Sequence, residues 1–133
     1  MKTVALIERG KDGMFGIFTP DIETTIIGSG ATVAEAKADF ENSVKEVLAS
    51  YTEEGEELPR ELKGITFEYR YDTASVFDEL ECINVTRFAR LAGIYPSTMR
   101  QYASGIAYIS EKQAHKIEEA LHSLGAKLQT VRL

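Results

Sequence analysis

The stretch VTRFARLAGIYPSTMRQYASG, residues 85–105, constrains this chain most. Ala89 and Gly93 stand four residues apart within it. Phe88, Ala92, Ile94, Met99 and Tyr102 fall where two short helices crossing at a tight turn need apolar contacts. Ala89 is small, as required where a second helix passes close over the first. Gly93 falls where the turn needs a positive φ, which costs glycine little. Pro96 can open the second helix, because its missing N–H would lack an intrahelical partner there anyway. The spacing predicts helices over 85–92 and 96–103, with Asn84 capping the first and Ser104-Gly105 ending the second. Together they form a helix-turn-helix, a unit that binds DNA in many proteins and serves only as packing in others.

The charge distribution divides the chain at the same region. The net charge is -6 over 133 residues. Residues 1–72 carry 8 Lys and Arg against 15 Asp and Glu, a net of -7, whereas 73–133 carry 7 against 6. From Asn84 onward the count is 7 basic against 3 acidic. An acidic half joined to a mildly basic half suits two modules with different partners. The basic excess beginning at the helix-turn-helix suits phosphate, and the acidic half suits a cationic protein. Glu-rich helices are also simply soluble. No apolar run is long enough for a bilayer-spanning helix, and the apolar part of MKTVALIERG is too short for a signal peptide. The expected location is the cytoplasm. Cys82 is the only cysteine, so there is no internal disulfide and no cysteine cluster for zinc.

Taken in order, residues 3–8 read as a strand, 9–13 as a hairpin turn ending in Asp12-Gly13, and 14–19 as the returning strand. The β-branched run 24–27 reads as a third strand ended by Gly28-Ser29-Gly30. Thr32 and Glu35 form a capping box for a helix whose stripe is Val33, Ala36, Phe40, Val44, Val47, Leu48 and Tyr51. That helix should end near 53–55, followed by an acidic connector closed by Pro59. Residues 65–71 alternate as a fourth strand, with Ile65, Phe67, Tyr69 and Tyr71 on one face. A small antiparallel sheet with one helix on a face would bury both apolar surfaces. A short helix over 74–80 then leads into the helix-turn-helix. Ser110 and Gln113 open a last helix running to about Leu124, with Gly125 as its stop and 127–133 as a short terminal strand. The expected class is α+β: a β-β-β-α-β module over 1–72, then an all-α module over 73–133.

Catalytic candidates are few, and no catalytic or metal-binding residue and no cofactor is expected. His115 and His122 are seven apart on the last helix, too far for a short metal-ligating pair. Cys82 reads as a small apolar residue at the module junction. Asp12 and Asp21 flank a strand and leave open a metal-dependent nuclease, although turn aspartates usually form turns. Gly28-Ser29-Gly30 lacks the Lys-Ser/Thr of a phosphate loop. Function in the helix-turn-helix falls to its exposed positions. The second helix offers Tyr95, Pro96, Ser97, Arg100 and Gln101 outward, with Thr98 near its first turn. Gln101 can read adenine and Ser97 several base edges in a major groove. Arg100, Thr98 and the first backbone amides suit phosphates, and Arg87 and Arg90 on the first helix add backbone contacts.

Two patterns together resemble the HicB-like antitoxin family of bacterial toxin–antitoxin systems. One is the run Asp12-Gly13, Phe15 to Asp21, and Gly28 through Ala36. The other is FARLAGIYPSTMRQYASGIAYISEKQAHKIEEALHSLG, which looks like the Cro/repressor-type helix-turn-helix at the C-terminus of one HicB branch. After Asp21 the chain reads Ile22-Glu23-Thr24-Thr25, where the family often has a Pro-Gly-Cys-like turn. The resemblance implies a partial ribonuclease H-like first module without catalysis, which binds and blocks a small basic HicA-type toxin that cleaves mRNA. It implies a second module that binds operator DNA and represses the operon as a homodimer or higher oligomer. Two other readings stay open. One is a stand-alone transcriptional regulator whose first module senses a ligand or oligomerises. The other is a metal-dependent nuclease.

Overall fold

The computed structural model describes all 133 residues. The chain is α+β, with a four-stranded mixed sheet and five α-helices. It divides into two compact units, Met1–Arg70 and Tyr71–Leu133. The division falls two residues before the expected 72/73 boundary.

The first unit contains β1 (Lys2–Arg9), β2 (Phe15–Phe18), β3 (Ile27–Gly30) and α1 (Val33–Glu53), then the start of β4 (Thr66–Asp72). The sheet order is β3-β2-β1-β4. β1 and β2 form an antiparallel hairpin that pairs Leu6 with Phe18 and Ile7 with Ile17. Asp12 shapes its turn by accepting the Met14 N–H at 2.9 Å. β2 and β3 are also antiparallel, with Ile17 opposite Gly28 and Phe15 opposite Gly30. The fourth strand departs from the expected antiparallel sheet. The Thr66 N–H donates to the Met1 carbonyl at 2.8 Å, which sets the beginnings of β1 and β4 side by side. α1 returns the chain to the end of the sheet where β1 starts, so β4 runs parallel to β1.

The third strand also differs from expectation. The β-branched run 24–27 is mostly a pinned loop, and the ladder uses the glycine-rich segment after it. The Glu61 carboxylate, on the short 3-10 turn Arg60–Leu62, accepts from the Thr24 hydroxyl at 2.6 Å and the Thr24 N–H at 3.0 Å. It accepts the Glu23 N–H at 3.2 Å as well. Buried Thr19 donates its hydroxyl to the Thr24 carbonyl at 2.9 Å and accepts the Ile26 N–H at 3.1 Å. Side chains thus take the amides that a strand over 24–26 would need for its ladder.

Glycine is required in β3 by the approach of α1. A Cβ on Gly28 would lie 2.6 Å from the Phe40 Cα, and one on Gly30 would lie 2.6 Å from the Ala36 nitrogen. Ala36 and Phe40 are fully buried at this contact. The Phe40 ring packs edge-on against Phe67 at 5.0 Å between centroids, and Tyr69 lies beyond at 6.3 Å. Tyr69 donates its hydroxyl to Glu41 at 3.2 Å. Burial, with the Glu41 charge beside it, pushes the Tyr69 phenol up to about 12. Thr32 caps α1 by accepting the Glu35 N–H at 3.1 Å. Glu35 returns a bond to the Ala31 N–H at 3.0 Å, one residue earlier than a standard capping box.

The second unit contains α2 (Ala74–Glu79), α3 (Val85–Ala92), α4 (Pro96–Ser104) and α5 (Glu111–Thr130). Its core is Phe77, Phe88, Ala89, Ala92, Ile94, Met99, Ile109, Ile117 and Ala120. Tyr71 and Ile109 exchange two backbone hydrogen bonds, each 2.8 Å, which ties the last residues of β4 into this unit. That pairing explains why the division precedes Tyr71. α5 does not stop at Gly125 but runs through it to Thr130, and 127–133 form no strand. A glycine in a helix interior costs about 0.5–1 kcal/mol against alanine, too little to end a helix with good formers on both sides.

Candidate nucleic-acid interface

α3, the turn Gly93-Ile94-Tyr95 and α4 form the best-defined candidate site. Asn84 starts α3 by accepting the Arg87 N–H at 3.0 Å. Gly93 ends it at φ 70°, with its N–H donating to the Arg90 carbonyl. The Ile94 N–H reaches back to the Ala89 carbonyl at 2.9 Å. This crossed pair of bonds satisfies the last carbonyls of α3 and turns the chain sharply. Ile94 drops into the core, while Ala89 and Met99, both 0% exposed, hold the two helices together. Phe88 meets Phe77 edge-on at 5.7 Å between centroids. Tyr102, expected in the core, is half-buried against it.

α4 then presents its outer face. Pro96 occupies its first turn, and Tyr95, the residue at its cap position, makes no side-chain capping bond. Ser97, Arg100, Gln101 and Ser104 are exposed. At about 100° per residue they share one arc of roughly 100° around the helix. Thr98 and Pro96 are half-buried at its margin, and Tyr95 is 82% exposed at the entrance. The Arg100 guanidinium donates to the Thr86 hydroxyl in the first turn of α3 at 3.3 Å. This arc combines a cation, an amide and two hydroxyls, with the unpartnered amides of the α4 first turn beside them. Such groups can donate to phosphate oxygens and to base edges.

The candidate residues of α3 do not all join this arc. Arg90 is exposed in the last turn of α3. Arg87 lines a separate groove with Cys82, Ile83, Leu91, Leu124 and Leu128. Arg87 therefore lies on the flank of α3 turned toward α5, while Thr86 lies on the flank turned toward α4. Thr86 and Ser104 escaped the sequence reading. Ser104 stands seven residues after Ser97, a spacing that placed it on the same face. Thr86 had no such signal, because its role depends on where Arg100 reaches. Cys82 is exposed rather than packed as a small apolar residue.

The other chemical candidates fall elsewhere. No group of three His, Cys, Asp or Glu side chains comes together to hold a metal ion. Asp12 is committed to its turn. His115 is exposed, 4.0 Å from Glu111, and His122 is also exposed. Gly28, Ser29 and Gly30 are strand residues, and the Ser29 N–H donates to the Asp39 carboxylate at 2.8 Å. No helix is long and apolar enough to cross a membrane. No family model, curated protein or solved structure matches this chain.

Proposed function

We propose that the chain is a HicB-like antitoxin and autorepressor. Its second unit is a helix-turn-helix that reads operator DNA through α4. Its first is a partial ribonuclease H-like module that masks a small basic HicA-type mRNA-cleaving toxin. The observation that carries the DNA half is the exposed polar arc Ser97, Arg100, Gln101 and Ser104 on a helix opened by Pro96 and held by a tight glycine turn. With α4 in a major groove, Gln101 pairs with an adenine edge and Ser97 with a neighbouring base. Arg100, Thr98 and the first amides of α4 hold phosphates, and Tyr95 and Pro96 line the approach. Arg90 adds a backbone contact, and Arg87 contributes charge from the far flank of α3.

The toxin half rests on charge and on the family resemblance. Residues 1–72 carry a net -7, including the connector Glu53, Glu54, Glu56 and Glu57. An acidic surface attracts a basic ribonuclease and covers its catalytic face without chemistry of its own. The antitoxin works in the cytoplasm, as a homodimer or higher oligomer matched to a two-fold operator.

A stand-alone regulator is the second reading. It is favoured by an open cavity of about 710 Å³ in the first unit, lined by residues that include Glu23, Thr24, Tyr51, Arg60 and Glu61. Co-expression with the product of the neighbouring reading frame separates the two. An antitoxin co-purifies with a short basic protein and abolishes its RNA cleavage. A sensor yields no complex, yet still shifts DNA from its own upstream region.

A further inference from the structure

We infer that the outer edge of β4 accepts an extended, basic segment of a partner protein as an added strand. The direction of the backbone groups shows which residues are open. The Thr66 N–H donates to the Met1 carbonyl, so Thr66, Glu68 and Arg70 turn their backbone groups toward β1. Those groups alternate along a strand, so Phe67, Tyr69 and Tyr71 turn theirs outward. Tyr71 is already paired there, with Ile109. Phe67 and Tyr69 make no backbone hydrogen bond on that side, although both are half-buried. Two N–H and two C=O groups are therefore open to a short strand. The opposite edge of the sheet is guarded. There the Ser29 N–H of β3 is taken by the Asp39 carboxylate of α1 at 2.8 Å. Proteins block sheet edges in such ways, and an edge left open is where another chain can add.

α1 borders the open edge with a flank that suits the side chains of an added strand. The Lys37 amine lies 4.6 Å from the centre of the Tyr69 ring, and Glu41 accepts the Tyr69 hydroxyl. Val44 and Leu48 continue that flank at helical steps of three and four, and both are only half-buried. On the other face of β4, Arg70 pairs with Glu68 at 2.7 Å. An added strand sets alternate side chains against the apolar flank and against this pair. Charge selects the occupant. α1, residues 54–59 and β4 carry 3 Lys and Arg against 10 Asp and Glu, whereas the rest of residues 1–72 carry 5 against 5. The whole net charge of -7 thus belongs to the segments that border the edge or join its two walls. Lys37 and Arg70 are engaged by Tyr69 and Glu68, which leaves acidic side chains to meet the partner. A second copy of this chain would bring like charges together, and a basic segment would not.

Such docking rests on the antitoxin reading, which supplies a small basic protein as the partner. Residue-resolved amide exchange tests it on the full chain, alone and with the short basic product of the neighbouring reading frame. In the free chain Phe67 and Tyr69 should exchange fast, while Glu68 and Arg70 are protected by β1. With the partner free at about a hundred times its dissociation constant, Phe67 and Tyr69 should slow about a hundredfold. Glu41→Lys changes an exposed side chain beside the edge. Its circular dichroism should match wild type, while its affinity for the partner at low salt falls about tenfold. A complex in which Phe67 and Tyr69 still exchange fast, or one indifferent to Glu41→Lys, overturns the inference and leaves the antitoxin reading standing. Slow exchange of both amides in the free chain also overturns it, because a second copy or the chain itself then covers the edge. No complex at all removes the antitoxin reading and the docking edge with it.

Discussion

In the first unit, Gly28 and Gly30 leave room for α1; in the second, Gly93 and Gly105 turn the chain out of a helix. The first pair is set by packing against α1, because Phe40 and Ala36 occupy the space where a Cβ would stand. The second pair is set by backbone φ of 70° and 78° at the ends of α3 and α4, with the Ala74 Cβ also 3.3 Å from where a Cβ on Gly105 would stand. The two units are therefore specified differently. The sheet unit depends on contacts that only the folded chain assembles. The helical unit depends on caps and turns readable over a few residues.

Substitutions at these glycines can break that contrast. Gly28→Val drives a branched side chain into the α1 backbone and should destabilise the first unit by about 3 kcal/mol or more. Regional hydrogen exchange should show faster exchange in β1, β2, β3 and α1, with α3 to α5 keeping their protection. Gly93→Val has open space around its Cβ but a left-handed backbone. Its cost should be smaller, about 1–2 kcal/mol, and confined to the second unit. Loss of protection in both units from either change would mean that they do not fold as separate cooperative bodies.

A gentler test concerns the Glu61 latch. The Thr24 hydroxyl, then the Thr24 and Glu23 amides, hold the Glu61 carboxyl below its ordinary value of 4.5, against an opposing effect of desolvation. A lowered folded-state value means that the latch contributes fully above pH 4.5 and is lost as pH falls through the lowered value. Amide shifts of Glu23 and Thr24 should follow that titration below pH 4.5, and Glu61→Gln should flatten them. A curve that survives Glu61→Gln would place the titrating group elsewhere.

Legibility followed the same contrast. The caps at Thr32, Asn84 and Ser110, the turn at Gly93, the stripe of α1 and the apolar contacts of α3 and α4 all rest on short-range spacing, and the sequence carries them openly. The third strand misled because β-branched residues 24–27 look more like a strand than Ile-Gly-Ser-Gly does. What decided it was Glu61 taking the Thr24 amide and Thr19 the Ile26 amide, together with α1 forbidding a Cβ at 28 and 30. Parallel pairing of β4 with β1 was equally hidden, since alternation gives a face but no direction. At the candidate interface, Ser97, Arg100 and Gln101 were readable from helical spacing, whereas the separation of Arg87 from them depends on the packing of α5.

The central claim is that α4 reads DNA, and its salt dependence tests this most directly. Binding of the full chain to its own upstream DNA should be measured by fluorescence anisotropy across a salt series. Affinity should fall steeply as salt rises. Arg100→Ala should weaken binding to all sequences and flatten the slope by about one unit, and Gln101→Ala should cost about 1–3 kcal/mol at one base position and leave the slope unchanged. Affinity indifferent to both substitutions, or no binding to that DNA at low salt, would contradict it.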